Sequence, residues 1–367
     1  MKNWTEVGDD GLTPIYAAAK DGMLHLVPKQ FVTATNLMVS DANSTNMTAL
    51  HWVAAHRQLD LVPVGVLTEH NMLVVDGRES SSFHFAASNG NLDQLPAGLL
   101  TAENLVIKDV EGVTPLHFAA VAGYLHQVPE LLLTVENLML QDAGGWTPLH
   151  RASKSGCLNK VPGALLTSET MLVKSGSGTT PLHLAILNEH FATIPRSLFV
   201  ADNLLVGDNC GETPLHLIAS KGCFELVVGL IAENLMVCDQ EGQSPLHIAA
   251  YKGWLCKLPP HLLTQENLGV VDNNGQTPLH VAALYGHLNQ VPRELLTVEG
   301  LLVKSRTGGT PMQWAARKGH LDQLLGIEFP DAVKELVGDE WWERNQVVLR
   351  DKELLETGND VAEVELF

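Results

Sequence analysis

The chain has 367 residues, is 45% hydrophobic and carries a formal net charge of −19. That charge excludes a general binder of nucleic-acid backbones, which depends on positive charge and counterion release. No apolar run approaches the roughly 18 residues that would cross a bilayer, so no membrane segment is expected.

The amino terminus, Met1 to Asp10, is polar and acidic without the apolar core of a leader, and a soluble, unprocessed chain is expected. From there a four-residue stamp recurs at Thr13, Thr48, Ser81, Thr114, Thr147, Thr180, Thr213, Ser244, Thr277 and Thr310. Most steps are 33 residues; the first is 35 and that into Ser244 is 31. Ten units at one period describe a stacked-repeat chain, in which each unit buries its apolar face only against its neighbours.

In the fourth copy Thr114-Pro115-Leu116-His117 opens a helix, with Pro115 suited to its first turn and Leu116, Ala119 and Ala120 on an inner face. Gly123 ends it, and Val128, Leu131 and Leu132 then read as the stripe of a second helix. Pro28, Pro63, Pro96, Pro129, Pro162, Pro195, Pro259 and Pro292 fall early in that second helix, which should therefore start late and be short. It is followed by Thr-x-Glu-Asn-Leu, as at Thr134 to Leu138, where threonine before an acidic residue favours a further helical turn.

Local departures punctuate the series. The first unit, from Gly11, has Ile15-Tyr16 for leucine-histidine and reads as an end cap. The second has a lengthened loop over Asp41 to Asn46 and Arg57 in the glycine position; the sixth has Glu189 there. The seventh is shortened, which should alter its outer turn. Asp41, Asp76, Asp109, Asp142, Asp208, Asp239 and Asp272 recur at the loop tips, where short side chains bond turn backbones. Residues 1–325 thus read as the stack and 326–367 as an acidic helical cap and tail. In the latter, helices are expected over Pro330 to about Val337 and Asp339 to about Leu355. Residues 328–367 hold 12 acidic and 4 basic side chains.

Threonine-proline-leucine-histidine, two alanines and a glycine at this period resemble the ankyrin repeat over roughly residues 9 to 325. The resemblance implies an all-α solenoid of antiparallel helix pairs with projecting hairpin-like loops, and a role in binding other proteins along the concave side. The prolines and the Thr-x-Glu-Asn-Leu ending depart from the usual repeat.

Chemistry could reside in what recurs or in what does not. Eight histidines, His51, His84, His117, His150, His183, His216, His247 and His280, share one slot, so they are expected to bond backbone or the adjacent threonine and hold units in register. The glutamates after the threonines, such as Glu103 and Glu136, share another and are expected to favour helix starts. Lys174 to Thr179 superficially resembles a phosphate loop but lacks the Gly-Lys-Ser/Thr that would make it one. The five cysteines form no Cys-x-x-Cys pair, and their odd number fits a reducing compartment. Glycosylation matches at Asn3, Asn43 and Asn46 would need a secretory route. No cofactor, no metal site and no enzymatic activity are expected.

The varying slots are the two residues after the alanine pair and the loop tips, which in the resembled family face the groove. Arg78, Trp146, Arg151, Lys154, Tyr251, Lys252, Tyr285, Arg306, Arg317 and Lys318 are the candidate partner-binding residues, being of types enriched at interface anchors or cations in an acidic chain. The expectation is a monomeric cytoplasmic scaffold or adaptor whose partner is a protein, in particular an acidic segment. A reading of another class is an exported effector, or a regulatory subunit, that sequesters its target.

Overall fold

The structure, a computed structural model, describes residues 4–8, 12–41 and 45–356. Expectations placed on Met1 to Asn3, on Asp9 to Gly11, on the loop at Asn43 and on the tail from residue 357 lie outside the described residues. The chain divides into two compact units, Met1–Leu198 and Phe199–Phe367.

In the first unit, six short helices begin where the stamp predicts: α1 Pro14–Lys20, α2 Ala49–Ala55, α3 Ser82–Ser88, α4 Pro115–Ala122, α5 Pro148–Ser155 and α6 Pro181–Leu187. Each packs on the next. The second unit holds α7 Pro214–Lys221, α8 Pro245–Lys252, α9 Pro278–Tyr285 and α10 Pro311–Lys318, likewise in sequence, and ends with α11 Asp339–Glu356. No strand longer than an isolated bridge forms among the described residues.

Helix α4 shows why so short a segment holds. Thr114 caps it by accepting the His117 N–H, Pro115 occupies the first turn, and Gly123 closes it at φ 79°, a left-handed conformation that costs a side-chain-bearing residue more. Leu116, Ala119 and Ala120 are fully buried. An isolated helix of eight residues would be marginal in water, so its stability comes from the flanking repeats.

The second member of the expected pair is not a single late-starting helix. In the fourth repeat it is a 3-10 turn Leu125–Gln127, an extended Val128-Pro129 step, a second 3-10 turn Glu130–Leu132, and a four-residue α-turn Val135–Leu138. The reason is local: Pro129 lacks an amide and drives Val128 out of the helical region, to ψ 131°. The expected stripe shifts accordingly. Val128 is buried, but Leu131 is 90% exposed and Leu133 takes the inward place.

Asparagine, not the acidic residue, pins the last turn. Thr134 Oγ1 accepts the Asn137 N–H, and Asn137 Nδ2 donates to the Leu132 carbonyl at 2.8 Å; Asn36, Asn71, Asn104 and Asn267 repeat the bond. Glu136 points to solvent. The shortened seventh repeat lacks both the proline and the second 3-10 turn. Its chain bridges instead to Phe199, through the Val228 N–H, and ends in a five-residue 3-10 helix Ala232–Met236.

Past α10 the helices fall where expected, Lys334–Val337 and α11. Trp341, Trp342, Phe329 and Val333 are buried, and the short helix packs on α10. Asn345, fully buried, receives the Gly326 N–H at 2.7 Å and donates to the Ile327 carbonyl at 2.9 Å, tying α11 to the last repeat. Val347 and Val348 remain exposed.

Candidate partner-binding faces

The shared histidine slot builds the floor under every candidate face. In the fifth repeat the Thr147 N–H donates to His150 Nδ1 at 3.0 Å, which leaves the ring proton on Nε2, and Nε2 donates to the Thr179 carbonyl of the next repeat at 3.0 Å. His84, His117, His216, His247 and His280 make the same pair of contacts, each reaching forward into the following repeat, whereas His51 takes the Thr48 N–H in the same way but has its Nε2 3.0 Å from the Val74 carbonyl, short of the next tip at Asp76. Burial pushes all seven of these imidazoles down, to about 4 for His117 and His150. They are neutral register pins. Among the described residues no group of three or more His, Cys, Asp or Glu is placed to hold a metal ion.

The tips are equally regular. Asp142 Oδ1 accepts the Gly144 and Trp146 N–H groups, both at 2.9 Å, and Asp76, Asp109, Asp208, Asp239 and Asp272 do the same in their loops. Tips bond to one another through backbone: the Gly176 N–H donates to the Gly144 carbonyl at 2.9 Å. A Cβ on Gly145 would sit 2.6 Å from the Gly176 nitrogen, so that approach requires glycine.

A further set of pins escaped the sequence reading. Gln127 accepts the Leu92 N–H and donates to the Gly90 carbonyl of the preceding repeat; Gln94 and Gln323 make the equivalent pair of bonds one repeat back. The signal was a glutamine recurring two residues after a leucine, in Leu92-Asp93-Gln94, Leu125-His126-Gln127 and Leu321-Asp322-Gln323.

On this frame the candidate residues fall into separate groups. In the Met1–Leu198 unit Arg151 and Lys154, both on α5, line a cleft of about 370 Å³ with Trp146. The Lys154 ammonium lies 5.3 Å from the Trp146 ring centroid, and Trp146 tilts on His150. Arg151 is committed within the chain, its Nη2 2.6 Å from Asp142 Oδ2. Burial raises the Asp142 carboxyl, but the Trp146 N–H and the Arg151 guanidinium outweigh it and hold the group below the usual carboxylate range. Arg78, at an earlier tip, is paired with Glu111 of the next tip at 2.5 Å, both largely exposed.

In the Phe199–Phe367 unit Tyr251 and Tyr285, at the ends of α8 and α9, meet edge to face with ring centroids 4.6 Å apart. They are 44% and 47% exposed, and the Lys252 ammonium lies 5.0 Å from the Tyr251 ring. Arg317 and Lys318 hold the matching exposed positions at the end of α10. Arg306 lies at a tip, its backbone N–H bonded to the Asn274 carbonyl and its side chain exposed.

A family model described as ankyrin repeats in three copies matches residues 83–168, 196–258 and 255–327. No curated protein matches the chain. The first two copies of the stamp lie before the matched segments and the sixth, at Thr180, lies between two of them, so the count of ten rests on the recurrence and on the ten capped helices. With more than half of its length matched and its repeats all-α and stacked in sequence, the chain belongs to the ankyrin-repeat family.

Proposed function

We propose that the chain is a non-enzymatic scaffold or adaptor that holds a partner protein on the face made by helix ends and loop tips. Ankyrin repeats generally mediate protein–protein interactions, which supplies the class of function. The observation that carries the finer reading is the Tyr251–Tyr285 pair: two half-exposed aromatic rings held edge to face, with Lys252 over one of them. Aromatic rings fixed by each other lose little freedom on binding and bury large area. Lys252, Arg317 and Lys318 put cations on this face of an otherwise acidic chain, which favours an acidic segment of the partner. Trp146 with Lys154 offers a similar ring and cation in the other unit. Residues 1–325 are then the binding stack and 326–367 its cap and tail, in a monomer working in the cytoplasm.

Affinity capture with the full chain, wild type against a Trp146, Tyr251 and Tyr285 triple alanine variant, tests the reading. The expected result is a set of proteins lost from the variant while its melting curve is unchanged. Charge reversal at Lys252, Arg317 and Lys318 should weaken the same complex and flatten its salt dependence. Capture unaffected by either set of changes would reject this face.

A further inference from the structure

A cleft of about 620 Å³ in the Met1–Leu198 unit lies beside repeats 3 and 4 and is lined by Asp76, Asp109, Glu111, Arg78, Phe85 and Phe118, with Arg151 among its remaining lining residues. Comparison with repeat 5 shows what it is built to take. The three tip aspartates Asp76, Asp109 and Asp142 spend Oδ1 on the same two turn amides. At Asp142 the other oxygen is filled by the guanidinium of Arg151, nine residues further on. At Asp76 and Asp109 that slot holds Phe85 and Phe118, and among the described residues Oδ2 of neither aspartate receives a hydrogen bond.

Both aspartates are more than nine-tenths buried, at 8% and 9% exposure, and both line the cleft. The two rings that line the same cleft are fixed, Phe85 edge to face on His51 and Phe118 on His84. Of the cleft's charges, Arg78 is neutralised by Glu111 and Arg151 by Asp142, which leaves the two aspartates in excess. An aspartate whose second oxygen opens into a cleft that an aromatic ring also lines favours a planar cation, which can accept the ring on one side and donate to the oxygen at its edge.

We propose that this cleft binds a basic peptide segment of a partner, whose arginine side chains fill at Asp76 and Asp109 the place that Arg151 fills at Asp142. Two equivalent carboxylate and ring positions, one repeat apart, fit a segment with two such side chains better than a free small cation. The proposal stands independently of the acidic-segment reading of the tyrosine face, which concerns other residues in the other unit.

The test uses the full chain and fluorescein-labelled glycine-serine peptides carrying two arginines about two to four positions apart, each against its citrulline counterpart. Citrulline keeps the shape and removes the charge. The tightest arginine peptide should bind at least about tenfold better than its neutral counterpart. Asp76→Asn with Asp109→Asn should bring that ratio below about threefold. So should Phe118→Arg, which gives repeat 4 the arrangement of repeat 5 and is expected to keep the wild-type melting temperature. A wild-type ratio below about threefold overturns the proposal, as does a ratio that both variants leave intact. Equal affinity for N-acetylarginine amide would also overturn it, by making the cleft a small-molecule site.

Discussion

The start and the end of each inner helix follow different rules. At the start, Thr147 and His150 in α5 are buried to 1% and 0%, and their counterparts are the same types in nearly every repeat. At the end, Lys154 and Ser155 in α5, Tyr251 and Lys252 in α8, and Arg317 and Lys318 in α10 are exposed and share no pattern. A repeat protein must solve the same packing problem at every junction, so the junction residues converge. The outward ends are free of that demand, and there individual repeats can acquire different chemistry. Stability and recognition should therefore respond to different perturbations.

The largest effect should come from acid, which acts on seven buried imidazoles at once. Each of the seven is held below its ordinary pKa, so the unfolded chain binds protons that the folded chain refuses. Stability is then full above pH 6.5 and falls between there and about 4. For His117 and His150 the shift corresponds to on the order of 3 kcal/mol each, and the five further imidazoles shift in the same direction. Urea midpoints measured from pH 7.5 to pH 4.5 should drop steeply; a flat profile would mean that the imidazoles are protonated in the folded stack.

One junction at a time, His150→Ala should cost about 2–4 kcal/mol, because it strands the Thr147 amide and the Thr179 carbonyl in the interior and leaves a cavity. The urea midpoint reads this, and His150→Gln should recover part of it, since Gln313 makes the capping contact to the Thr310 amide in repeat 10. A loss as small as that of a surface substitution would remove the distinction between helix start and helix end.

Most of this division was legible beforehand. A histidine at one slot in eight repeats announces a structural task, and aspartate at seven tips, with Ser175 and Ser305 at two more, announces a turn, because identical geometry needs equivalent donors and acceptors. The helix starts, the glycine stops and the α11 segment followed from local rules. What was not legible was the breakup of the outer helix. Leu131 looks inward-facing on a helical wheel, and only the extended step at Val128-Pro129 turns it to solvent. Nor could spacing show that Arg78 and Arg151 would find partners inside the chain, since Glu111 lies on the next tip and Asp142 is brought to Arg151 by the turn between them.

Arg151 tests the border between the two regimes. Its slot belongs to the helix interior, yet its charge is peculiar to one repeat. Arg151→Ala should cost about 1–2 kcal/mol, since Asp142 is left with a nearly buried carboxylate oxygen unpaired. The acid limb below the ordinary carboxylate range should weaken with it, because the depressed Asp142 pKa contributes stability that is lost only as pH falls through the folded value. An unchanged midpoint would place Arg151 with the free residues of the face.

The smallest effect separates strain from contact at Arg57, which stands where eight other repeats have glycine and adopts φ 57°. The left-handed conformation costs a residue with a side chain about 1 kcal/mol. Against that, Arg57 Nη1 donates to the Gly90 carbonyl at 2.9 Å, and Nη2 pairs with Asp93 at 2.8 Å in a solvent-screened geometry. Arg57→Gly should exchange one for the other and move the midpoint by less than about 0.5 kcal/mol, whereas Arg57→Ala keeps the strain, loses the bonds and should cost about 1 kcal/mol. If both variants behaved alike, the backbone there would carry no strain, and the arginine would owe its place to its contacts alone.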